Sequence, residues 1–108
     1  MKPFILLAAI LALTTIVVSA EDTKALYEKN CSKCHGVDGK GNTKMGRKVG
    51  AKDYTDPAVQ AALKDDAAFK ATKEGLKDKD GKELMKPADG LSDDEIRALV
   101  AYMRAFKP

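Results

Sequence analysis

The chain has 108 residues, 44% of them apolar, with 19 Lys or Arg against 16 Asp or Glu and a formal net charge of +3. That length excludes a large enzyme fold with its own substrate domain, and so nearly neutral a total gives no support for nucleic-acid binding. The apolar residues are unevenly shared: 15 of the first 20 positions are apolar, whereas residues 21–108 hold 33, of which 12 are alanine. A domain with so few large apolar side chains commonly needs a disulfide, a metal or a cofactor to be stable.

Residues 1–20 begin Met-Lys-Pro, continue as an apolar run from Phe4 to Val18 broken only by Thr14 and Thr15, and end Val18-Ser19-Ala20. A short positive end, an apolar stretch and small residues at −3 and −1 predict a secretory signal peptide cleaved after Ala20. The run is at the short end for a bilayer span, which takes about 20 apolar residues. The expected organisation is therefore a signal peptide over 1–20 and one exported domain over 21–108.

Within that domain, Thr23–Asn30 reads as a helix with Thr23 as N-cap and Leu26 and Tyr27 as its apolar contribution, ended by Gly36. Residues 36–53 carry five glycines and read as one long loop. Asp56-Pro57 is a cap followed by proline at N1 and opens a short helix to about Leu63. Asp65 or Asp66 caps a second one, ending near Glu74 with Gly75 beyond it. Residues 76–90 read as loop. Ser92-Asp93-Asp94-Glu95 is a capping box, and the helix after it places Ile96, Leu99, Val100, Met103 and Phe106 on one face. No segment alternates as a strand does, so an all-α fold without a sheet is expected.

Chemistry concentrates in Cys31-Ser32-Lys33-Cys34-His35. Residues three apart share one side of a helical turn, so both thiols can face one flat partner, with His35 directly after them. This is the attachment pattern of c-type haem, in which Cys31 and Cys34 form thioethers and His35 supplies an axial nitrogen to iron. Three other readings compete. A Cys31–Cys34 disulfide suits an exported chain, a redox dithiol would want a βαβ pattern that is absent, and a zinc site would want about four ligands. His35 is the chain's single histidine, so a second histidine cannot hold the other face of the iron. Met45, Met85 and Met103 remain, besides a lysine or an open position. Met103 belongs to the apolar stripe of the last helix, and Met45 would have to wrap tightly from only ten residues away. Met85, in Leu84-Met85-Lys86-Pro87, is the best placed of the three. Lys86 beside it is a candidate to replace it at high pH.

Together, Cys31-Ser32-Lys33-Cys34-His35-Gly36, Met85-Lys86-Pro87 and the closing segment Leu91–Tyr102 resemble a class I, single-haem bacterial cytochrome c, and the resemblance covers residues 23–107. It implies a small cytochrome c fold with helices around one covalently bound haem c, the first and last helices crossing, and Tyr27 packing on Leu99 and Tyr102. It also implies one-electron transfer between redox partner proteins; with the signal peptide this makes a periplasmic carrier, expected to be a monomer, and an iron saturated by two axial side chains argues against enzymatic activity. Two positions depart from the family pattern. Thr23 stands where many members have glycine at the helix crossing, and no proline follows His35 by a dozen residues to orient its imidazole through a carbonyl. Some other backbone carbonyl is expected to accept from His35.

Other functions remain open on the sequence alone. These are a haem-based sensor with a weak or open sixth position, and an electron-relay subunit of a larger complex. A peroxidase would lack a distal histidine. Residues 39–52 carry Lys40, Lys44, Arg47, Lys48 and Lys52 with no acid, either a docking patch for an acidic partner or an ordinary solvated loop. Arg47, Lys48 and Tyr54 are candidates for the haem propionates.

Overall fold

The structure, a computed structural model, describes residues 3–4, 9–10 and 18–108. Most of the expected signal peptide lies outside these residues. Among those described, six helices and one two-stranded hairpin follow in order.

Helix α1 (Ala20–Asn30) starts three residues earlier than its predicted first residue. In the full-length chain Ser19 is the N-cap, its hydroxyl accepting from the Asp22 amide at 3.1 Å, with Glu21 and Asp22 in the first turn where the helix dipole favours acids; the cleavage expected after Ala20 would remove this cap. Thr23 is buried inside the helix instead, and its hydroxyl donates back to the Ser19 carbonyl at 3.0 Å. The buried threonine's polar atom is thus satisfied locally.

Helix α2 (Ser32–His35) is a single turn, and α3 (Lys44–Val49) occupies the stretch expected to be loop. Thr43 caps α3 by accepting from the Gly46 amide at 2.8 Å, and Gly50 closes it in the left-handed region at φ 74°. Helices α4 (Pro57–Ala62, N-cap Asp56) and α5 (Asp65–Glu74) match the expectation, except that α5 starts after Lys64 with no side-chain cap.

The expectation of no sheet is corrected by a small antiparallel hairpin, β1 (Leu76–Lys77) with β2 (Glu83–Met85). Strands of two and three residues are too short to show alternation. What makes the turn is Asp78, whose carboxylate accepts from the amides of Asp80 and Lys82, both at 2.9 Å.

Helix α6 (Asp93–Arg104) carries the full capping box: Ser92 accepts from the Glu95 amide, and Glu95 accepts from the Ser92 amide. It packs on both α1 and α5. The core is as small as the composition requires. Tyr27, Ile96, Leu99 and Val100 are its buried apolar residues among those described, each contributing roughly 1.5–3 kcal/mol. Tyr27 stacks on Tyr102 with ring centroids 4.8 Å apart and on Phe106 at 5.4 Å.

Polar contacts tie the end of α6 to α4. Arg104 donates from Nη1 to the Gln60 carbonyl at 2.7 Å, from Nη2 to the Leu63 carbonyl, and from Nε to Asp65 at 2.7 Å. The guanidinium thereby donates to carbonyls at the end of α4, where the helix leaves acceptors free; the Gln60 carbonyl also accepts from the Leu63 amide at 3.3 Å. Gln60 Nε2 in turn donates to the carbonyls of Tyr54 at 2.7 Å and Met103 at 2.9 Å.

Candidate functional site

The Cys31–His35 segment begins where α1 ends. The Cys31 amide still donates to the Tyr27 carbonyl at 2.8 Å, and the His35 amide donates to the Cys31 carbonyl at 3.0 Å, so the motif is wound into one turn. Gly36, at φ 78°, then turns the chain away. Three contacts from outside hold the turn. The Tyr27 hydroxyl donates to the Gly36 carbonyl at 2.5 Å, the Gly41 amide to the His35 carbonyl at 2.8 Å, and the Thr43 hydroxyl lies 2.8 and 2.9 Å from the carbonyls of Lys33 and Cys34. Burial of the bonded Tyr27 hydroxyl pushes its pKa far above the usual tyrosine range.

Helix α3 sits directly on this turn, and Gly46 is the reason it can. A Cβ there would run into the carbonyl oxygens of Cys34 and Gly41. The sequence offered a signal for this element, Thr43 as cap and Gly50 as terminator, but the glycine density of the segment concealed it.

Both cysteines are free thiols and half-buried. Burial, with a smaller contribution from Cys34, pushes the Cys31 thiol up to about 11, so it is protonated at neutral pH. Burial alone lowers the His35 pKa, so the imidazole is neutral at neutral pH, the form a metal binds. Its Nδ1 is buried and has no hydrogen-bond partner among the described residues. The expectation that a backbone carbonyl accepts from His35 is therefore corrected. What stands against the ring is Tyr54, with centroids 5.6 Å apart and planes inclined by 60°. From sequence, Tyr54 stands out only as a propionate candidate.

Met85 lies at the end of β2, half-buried and opposite Leu76 in the hairpin register. Its segment is fastened to the end of α5. Gly75 lies so close to the Met85 carbonyl and Pro87 that a Cβ would meet them at 2.5 and 3.0 Å, and the Ala88 amide donates to the Thr72 carbonyl at 2.9 Å. Met85 is thus on a short strand rather than in irregular chain. Met45 is on α3 and Met103 on α6, both half-buried. Lys86 is exposed.

The residues present fit a covalently attached haem. Two free thiols share one turn with a neutral, half-buried imidazole whose buried Nδ1 no protein group engages among the described residues. Among the same residues no group of three or more His, Cys, Asp or Glu is arranged to hold a metal ion directly, which the zinc reading would require. Nor is any described helix long and apolar enough to cross a membrane. Lys40, Lys44, Arg47, Lys48 and Lys52 are all exposed, three of them on α3 against the motif turn.

Comparison with known proteins agrees with this chemistry. The family model described as cytochrome c matches residues 20–107. Among solved structures, the chain is similar to the KustC0563 c-type cytochrome at 34% identity and a TM-score of 0.69, over 80% of this chain and 98% of that one. It is similar to the same degree to a Kustc0563 variant in which one tyrosine is replaced by phenylalanine, at 34% identity and a TM-score of 0.68, over 80% of this chain and 99% of that one. Among curated protein sequences, none matches.

Proposed function

The chain belongs to the cytochrome c family, and from that premise we propose that it is an exported one-electron carrier with histidine–methionine axial ligation. Haem c supplies an iron that alternates between ferric and ferrous states and so carries one electron. In this reading Cys31 and Cys34 would hold the porphyrin through thioethers, which would keep the cofactor with the protein outside the cytoplasm. His35 Nε2 and the Met85 sulfur are the two axial donors. A thioether sulfur is a soft donor and, compared with a second imidazole, favours the ferrous state. With both axial positions filled by side chains, oxygen and small substrates find no open site, and the family carries electrons rather than catalysing a reaction on a substrate.

The observation that carries this reading is the single helical turn presenting two free thiols and a half-buried neutral imidazole. Export is supported by the composition of residues 1–20. The exposed basic residues of α3 and its flanks are the face we assign to acidic redox partners.

The test is the optical spectrum of protein expressed with haem-maturation machinery, for wild type and Met85→Ala. Wild type is expected to give a c-type spectrum with a red-region sulfur-to-ferric-iron band that disappears in Met85→Ala. A band that survives the substitution moves the ligand to Met45 or Met103. A high-spin wild type that binds carbon monoxide readily refutes the saturated site.

A further inference from the structure

The His35 imidazole has a polar atom that no described residue fixes. A histidine that ligates metal usually donates its other ring N–H to a carbonyl or carboxylate, which sets the ring's rotation. Here Nδ1 is buried without such a partner among the described residues. Residues 44–49, a dozen positions after His35, are wound into α3 and give it no acceptor.

Tyr54 is the aromatic residue that packs against the His35 ring. Its ring lies 5.6 Å from the His35 ring at an inclination of 60°. Its backbone is held on both sides. Its amide donates to the Gly39 carbonyl at 2.8 Å, in the turn just after the motif, and its carbonyl accepts from Gln60 Nε2 at 2.7 Å. Gln60 also bonds to the Met103 carbonyl on α6. On the next residue, the Thr55 amide and hydroxyl both donate to Asp53, at 2.9 and 2.6 Å, which fixes the backbone on that side. Thus the tyrosine is anchored both to the motif loop and to the helical frame.

We propose that Tyr54 is a positioning residue that sets the rotation of the His35 imidazole by ring packing, in place of a hydrogen bond from Nδ1. The inference rests on His35 being the axial ligand. Rotation matters because it decides how the imidazole plane lies against the porphyrin nitrogens. An Nδ1–H without an acceptor also leaves the ring a weaker donor than a hydrogen-bonded one, which favours ferrous iron.

The experiment uses haem-loaded protein and proton NMR of the ferric state, where the order of the four hyperfine-shifted haem methyl resonances reports the orientation of the axial ligands. Tyr54→Leu removes the aromatic face and Tyr54→Phe keeps it. Tyr54→Leu is expected to reorder the methyl resonances and Tyr54→Phe to retain the wild-type order. The proposal is overturned if Tyr54→Leu leaves the order unchanged or if Tyr54→Phe disturbs it as much. A second measurement needs no variant. In isotope-labelled ferrous wild type, a scalar coupling across a hydrogen bond from His35 Nδ1–H to a backbone carbonyl would overturn it as well, and its absence is the expected result. Failure of the underlying reading is separate: wild type would then load no covalent haem, or would keep its spectrum in His35→Ala.

Discussion

Replacing Gly46 by alanine is expected to reverse the usual sign of a glycine-to-alanine change inside a helix. Gly46 lies in α3, and helix propensity by itself favours alanine there by about 1 kcal/mol. Against that gain stands the space available. An added Cβ meets the carbonyl oxygens of Cys34 and Gly41 well inside contact distance, and the Thr43 hydroxyl at 2.9 Å. Overpacking costs about 1–3 kcal/mol, and the upper end applies because two of the three obstacles are backbone and cannot rotate away. The net expectation is a loss of about 1–2 kcal/mol, or roughly 5–15 °C in Tm for a domain of this size. Thermal melts of the haem-loaded protein by far-ultraviolet circular dichroism, for wild type and Gly46→Ala, measure it. Gly50→Ala separates space from conformation, since nothing lies within 4 Å of its Cβ position but its φ is +74°. A Tm that rises in Gly46→Ala would refute the close seating of α3 on the motif turn.

Arg104→Ala removes the donors to Gln60, Leu63 and Asp65. It should cost about 1–3 kcal/mol in chemical denaturation, and Arg104→Lys should recover only part, because an ammonium cannot span three acceptors in one plane. Hydrogen bonds from the Thr55 side chain and amide hold the Asp53 carboxyl below its usual value near 3.8. A group depressed on folding stabilises the native state above its unfolded pKa, and that stabilisation fades as pH falls through the folded pKa. Wild type should therefore lose stability relative to Asp53→Asn only below about pH 4, as measured by Tm against pH; parallel curves down to about pH 2 would contradict it.

Some of the molecule was readable directly in the residues. The capping box at Ser92–Glu95, the Asp56-Pro57 start of α4 and the end of α5 at Gly75 all appear where the residues put them, since each is settled within one turn of chain. Short elements were harder. A six-residue helix among glycines and strands of two and three residues carry too little periodicity to register. At the start of α1, Ser19 and Thr23 are both competent caps, and what decided between them was that Thr23 is buried where α1 packs.

The chemistry proposed for the site was legible in the order of residues along the chain. Two cysteines three apart with a histidine next to them are the haem-attachment pattern, and that spacing is local, so it can be read without knowing the fold. The same count of residues leaves no second histidine for the iron. What holds that turn in place was settled only when the chain packed on itself. Gly46 lets α3 close on the Cys34 carbonyl, Tyr27 reaches the Gly36 carbonyl from α1, and Tyr54 lies against the His35 ring in place of a carbonyl. These partners stand 9–19 residues apart in the chain, and no local pattern encodes which side chain a returning segment will bring to an imidazole.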